Sequence, residues 1–222
     1  MKIYAISGLG ADKRVFQYLN LDFDMIPIDW IKPIKDESLE NYSKRLSSKI
    51  KLNEKFVIMG VSFGGLVAVE ISKILNPEIT ILISSAETRR EIPKLYRIIG
   101  DLGIMRILPK KMFDPPRILA RFLFGAEKFE LLNQILDDTD LNFAKWAVNE
   151  LINWKNSERV KNQLLKISGS RDKLIPPRLG EDIIEIMGGQ HFMIVDRADE
   201  ISDMINDNLR KRTDNNGYMP CR

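Results

Sequence analysis

The sequence predicts an α/β protein with a doubly wound, mostly parallel sheet of about six strands and a helical insertion after the fourth. Three observations lead there. Short apolar runs of strand length alternate with segments of helical period, the rhythm of strand–helix–strand crossovers. One run, Phe56-Val-Ile-Met59, passes through Gly60-Val61-Ser62-Phe63-Gly64 directly into a largely apolar helix that stops before Pro77. Residues 88–160 then contain no strand run and read as helices throughout.

Taken in order, Lys2–Ile6 is the first strand, ending in the tight turn Ser7-Gly-Leu-Gly-Ala-Asp12. A helix capped by Asp12 follows, with Val15, Phe16 and Leu19 turned inward. The second strand lies within Phe23–Trp30, and Pro27 places it at an edge because proline cannot donate to a ladder. Ser38 opens a helix whose Leu39, Tyr42, Leu46 and Ile50 share a face. The strand at 56–59 and its helix come next, then a fourth strand, Ile79–Ile83, ending at Ser84-Ser85. Four helices are expected in the insertion, at 92–105, 116–124, 127–136 and 141–154, the last capped by Asp140. Strands at 164–168 and 183–187 resume the alternation, and a helix over 194–209 closes it. The expected division is a core of 1–87 and 161–209, a helical cap over 88–160, and a polar, fraying tail at 210–222.

Composition narrows the chemistry. At 222 residues the chain can bury a sizeable core, and a net charge of +3 is too small to imply nucleic acid or a membrane as a partner; no nucleic acid is expected. One cysteine, Cys221, excludes a disulfide framework and disfavours a metal-thiolate site. The first residues carry too short an apolar run for a signal peptide, and no segment approaches a membrane span. A cytoplasmic protein without stable membrane insertion is expected. Residues 88–121 hold nine basic side chains against three acidic. The plain reading is a solvated face; the functional one is attraction of an anionic substrate, such as an acyl-CoA, or of a membrane surface.

The Gly60–Gly64 turn demands a chemical explanation. Glycines on both sides of Ser62 let strand and helix pass too close for side chains, leaving the serine hydroxyl clear on a strained turn. Beyond other strand ends lie the glycine turn at 7–10, Asp172 in Gly169-Ser-Arg-Asp-Lys-Leu-Ile-Pro176, and the single histidine, His191, after Gly188-Gly-Gln. In open parallel sheets, sites form beyond the carboxyl ends of the strands.

The Ser–Asp–His order and the Gly-x-Ser-x-Gly turn resemble the α/β-hydrolases, a superfamily of serine hydrolases, over residues 2–209. The resemblance implies Ser62 as nucleophile, His191 as general base and acid, and Asp172 as the acid that orients the imidazole. It implies an oxyanion hole from the Leu9 and Phe63 N–H groups, with no metal and no cofactor. The implied substrate is a small-molecule ester or thioester, cleaved through an acyl-enzyme. Glu87, just past the fourth strand, is the alternative acid. Three features depart from the family pattern: Ser7 stands where a histidine is common, the Asp172–His191 interval is short, and no leading antiparallel hairpin precedes the first strand.

Other readings compete. A lyase or non-catalytic ligand-binding protein could share the fold. Gly8-x-Gly10 after a strand, with Asp29 about twenty residues on, resembles half of a dinucleotide-binding fingerprint, but Lys13 occupies the third glycine position. Trp30, Trp146 and Trp154 are candidates for core packing or for lining a pocket.

Overall fold

The computed structural model describes residues 1–178 and 183–217; Cys221 and the end of the tail lie outside them. The strands are β1 (Lys2–Ile6), β2 (Met25–Pro27), β3 (Phe56–Val61), β4 (Ile79–Ile83), β5 (Gln163–Gly169) and β6 (Ile184–Ile186). They form one six-stranded sheet in the order β2-β1-β3-β4-β5-β6. Every neighbouring pair is parallel. The chain runs outward from β1 to edge strand β2, then returns past β1 to β3 and continues to β6. That reversal opens a crevice between the carboxyl ends of β1 and β3.

Strand alternation builds two cores. Ile3 and Ala5 of β1 face one helical layer, and Tyr4 and Ile6 face the other. The second layer is made by α1 (Leu39–Leu46), capped by the Ser38 hydroxyl, and α2 (Phe63–Leu75). The first is closed by α8 (Met193–Asp196) and α9 (Ala198–Gly217). β3 is buried along its whole length because both faces are covered. Full burial of a side chain such as Ile58 or Ile81 contributes about 1.5–3 kcal/mol.

Between β4 and β5 the chain is helical: α3 (Lys94–Asp101), α4 (Ile104–Ile107), α5 (Arg117–Phe124), α6 (Phe129–Asp137) and α7 (Leu141–Asn153), with Asp140 capping α7. The single helix expected over 92–105 is two, because Gly103 adopts φ +67 and ends α3. Gly100 lets α3 approach α7 closely; a Cβ there would lie 2.5 Å from the Ile152 carbonyl oxygen.

Two more expectations give way to tertiary bonds, and a third to the continuation of a helix. The helix after Asp12 is only a 3-10 turn, Lys13–Phe16. Beyond it, the N–H groups of Asn20 and Asp22 donate to the Ser202 and Asn206 side chains of α9 instead of to a helix of their own. The closing helix breaks at Arg197, where the Asp196 carboxylate accepts from the Glu127 and Lys128 N–H groups and so ties down the turn leading into α6. Helix α9 also continues to Gly217, past the expected start of the tail at residue 210. Its polar residues include no proline, and each added residue gains a helical hydrogen bond.

Gly64 is where α2 crosses the end of β1. A Cβ on it would overlap the Ser7 carbonyl oxygen and lie 2.5 Å from that of Ile6, both backbone atoms that cannot swing away. Gly64→Ala is expected to cost at least about 3 kcal/mol of stability. Thermal unfolding followed by circular dichroism checks it; an unchanged midpoint would contradict the packing described.

Candidate active site

Ser62 ends β3 with φ +52 and ψ −122, a conformation costly for any residue but glycine. Such strain, about 1–3 kcal/mol, persists only where neighbours hold it. Here β4 holds it at both ends. The Ser62 N–H donates to the Ile83 carbonyl at 2.9 Å, and the Ser85 hydroxyl donates to the Ser62 carbonyl at 2.6 Å. Ser85 was not singled out as a site residue from sequence; its signal was the hydroxyl pair closing the fourth strand. Gly60 clears the way for the helix, since a Cβ on it would lie 2.5 Å from Gly65 Cα.

His191 sits beyond β6, buried, with its Nε2 2.8 Å from the Ser62 hydroxyl. Its Nδ1 lies 3.0 and 2.8 Å from the two carboxylate oxygens of Asp172, whose side chain is wholly buried. Asp172 follows β5, and its Oδ1 also accepts from the Leu174 and Ile175 N–H groups at 2.8 and 2.9 Å. The short loop toward Pro176 thus fixes the carboxylate. A carboxylate only accepts, so Nδ1 carries the imidazole proton and Nε2 faces Ser62 as an acceptor. The structure brings together Ser62, His191 and Asp172.

It does not bring Glu87 to them. The Glu87 carboxylate is buried and accepts from the Val160 N–H at 2.9 Å, at the return from the helices to the sheet. Burial pushes this carboxyl above its ordinary range, helped by the charge of Glu91. Its reach is used to tie residue 160 to the end of β4.

The Leu9 and Phe63 N–H groups have no acceptor among the described residues. Phe63 opens α2, where the first N–H groups lack helical partners. The loop carrying Leu9 passes over Ser62, since a Cβ on Gly8 would lie 3.6 Å from Ser62 Cβ. Ser7 donates to the Ala11 carbonyl at 2.7 Å and closes this loop.

A cavity of about 410 Å³ opens above these groups, with Leu9, Ser62 and His191 on its wall. The helices add an apolar lining that includes Ile99, Phe124, Leu132 and Ile152. Tyr96 joins them; burial and the Asp172 charge push its phenol up, so it stays protonated. Sequence reading missed Tyr96, which looks like any residue of an amphipathic helix. None of the tryptophans lines the cavity. Trp30, Trp146 and Trp154 pack in the second core, and their ring N–H groups donate to Ala11, Glu37 and Glu70.

The glycine turn is not an open phosphate cradle. Gly10 has φ +70, and a Cβ on it would lie 2.7 Å from the Thr139 hydroxyl, which roofs the turn. Asp12 caps the short 3-10 turn, and Asp29 is exposed. The dinucleotide reading therefore lacks both its space and its long helix.

No protein-family model matches the sequence, and no curated protein matches it. Solved structures do resemble it. A thermophilic esterase from Thermogutta terrifontis is 15% identical with a TM-score of 0.72, over 95% of this chain and 90% of that one. MenH from S. aureus is 16% identical with a TM-score of 0.72, over 96% and 94%. RedJ, a thioesterase of the prodiginine biosynthetic pathway in Streptomyces coelicolor, is 13% identical with a TM-score of 0.70, over 93% and 89%. At such identities the likeness is one of architecture: the chain has the α/β-hydrolase fold.

Proposed function

We propose that this chain is a serine hydrolase that cleaves a carboxylic ester or thioester through an acyl-enzyme. The observation that carries the reading is the hydrogen-bonded line from the Ser62 hydroxyl to His191 Nε2 at 2.8 Å and from His191 Nδ1 to Asp172 at 2.8 Å. Ser62 Oγ attacks the acyl carbonyl carbon while His191 Nε2 takes its proton. Negative charge moves onto the carbonyl oxygen, where the Leu9 and Phe63 N–H groups stabilise it. The imidazolium, stabilised by Asp172, protonates the departing alkoxide or thiolate as the tetrahedral intermediate collapses. Water, deprotonated by His191, then cleaves the acyl-Ser62 ester and restores the serine. The scheme requires neither metal nor cofactor.

We assign substrate choice to the helices of residues 88–160, as a cap over the sheet. They supply most of the apolar lining, so an apolar acyl group fits the cavity better than a polar one. Esterase and thioesterase neighbours support this reading at the level of fold. A fluorophosphonate probe tests it. The folded protein is expected to take up one probe per chain, with the adduct mapped to Ser62 by peptide mass. Absence of labelling, or labelling elsewhere, overturns the proposal and favours a ligand-binding protein.

A further inference from the structure

The helices between β4 and β5 carry apolar side chains on two sides. On α3, Tyr96 and Ile99 line the cavity, while Leu95, Ile98 and Leu102 stand in solvent on the outer face at helical spacing. Ile107 (82% exposed), on α4 beside α3, and Ile118 (87% exposed) and Phe122, on α5, are exposed as well. Scattered exposed apolar residues are ordinary, but a set this large within residues 95–122 marks a surface that meets something apolar. Met112 both lines the cavity and is 64% exposed, so the outer face meets the cavity mouth there.

The charges of residues 88–121 are mostly of one sign, nine basic against three acidic. Exposed Arg90, Lys94, Lys110 and Lys111 have no acidic partner among the described residues. The three acids of residues 88–121 are already engaged: Glu91 is buried on Lys166, Asp101 pairs with Arg89, and Asp114 pairs with Arg117. What is left over in this segment is positive and interspersed along the chain with the outward apolar side chains.

We propose that this face docks peripherally on a membrane surface carrying anionic headgroups. The acyl substrate then enters the cavity from the lipid layer at Met112. The delivery step rests on the hydrolase activity proposed above; the docking does not. No helix among the described residues is long and apolar enough to cross a membrane, so attachment is to the surface. Protruding single side chains on short helices enter a fluid lipid layer without shape complementarity, which a rigid protein partner would require. Each exposed cation adds about a fivefold gain near an anionic surface.

The test is co-sedimentation of the purified full chain with vesicles of phosphatidylcholine alone or mixed with phosphatidylglycerol. Binding to the mixed vesicles is expected to be at least about tenfold tighter and to weaken as salt rises. Ser62→Ala is expected to bind as the wild type does. The triple variant Leu102→Ser, Ile107→Ser, Ile118→Ser, none of which lines the cavity, is expected to lose at least about tenfold in binding while keeping the wild-type rate on a short water-soluble ester. Three results overturn the docking: no binding to mixed vesicles, equal binding to both kinds, or undiminished binding by the triple variant. A doubled mass in sedimentation equilibrium that the triple variant abolishes also overturns it, giving the face to a second copy of the chain. A wild type inactive on every ester but bound to anionic vesicles would refute the hydrolase and leave the docking standing.

Discussion

Ser62→Ala is expected to lower kcat by about 10⁶ on any ester the wild type hydrolyses, without altering the fold. The loss is this large because the three groups act as one unit. Without the Ser62 oxygen, His191 Nε2 has no nucleophile to deprotonate, and the Asp172 bond to Nδ1 stabilises a charge that never forms. What remains is binding in the cavity and the two N–H groups proposed to stabilise the oxyanion. Structure should survive, because the turn is held by backbone bonds to Ile83 and Ser85 that alanine keeps. Single-turnover kinetics with circular dichroism as a control measure both. A variant retaining more than a hundredth of wild-type kcat would remove Ser62 from the reaction.

The second large effect belongs to the acid. Asp172→Asn is expected to lower kcat at neutral pH by about 10⁴ with KM little changed. Asparagine keeps the size and could still accept from Leu174 and Ile175, but its amide N–H₂ can turn a donor toward Nδ1. The imidazole would then hold its proton on Nε2, where it cannot accept from the serine. Glu87→Gln is the contrasting control. Its side chain meets the Val160 N–H and not His191, so its kcat should stay within about tenfold of wild type. The reverse ranking would place the acid at Glu87 and reduce Asp172 to a turn residue.

Much of this architecture was legible in the sequence wherever local chemistry decides it. Parallel strands buried on both faces read as continuous apolar runs, Pro27 marked an edge, and Ser38 and Asp140 announced their helices by capping them. The Gly60–Gly64 turn was legible because glycines on both sides of Ser62 answer a purely steric demand. What escaped was set by partners distant in sequence. The break at Arg197 goes with Asp196 tying down the turn before a helix nearly seventy residues earlier. The shortness of the turn after Asp12 follows from Ser202 and Asn206 taking over its neighbours' N–H groups. Asp172 and Glu87 were alternatives because both follow strands; only the sheet order, which sets β5 between β4 and β6, brings the shorter side chain to the histidine. Ser85 showed only its place after the fourth strand and Tyr96 no motif at all, since one matters through the Ser62 carbonyl it bonds and the other through the cavity it lines.

The strained serine has an evolutionary corollary. Glycine would adopt φ +52 at residue 62 without the penalty of about 1–3 kcal/mol that a side chain incurs. On the proposed mechanism, endurance and reactivity therefore pull this one codon in opposite directions. A laboratory population screened only for resistance to heat should drift toward glycine there, its fold improving as its chemistry vanishes. Screening for turnover alone would hold the serine fixed and leave the rest of the chain to supply the missing stability.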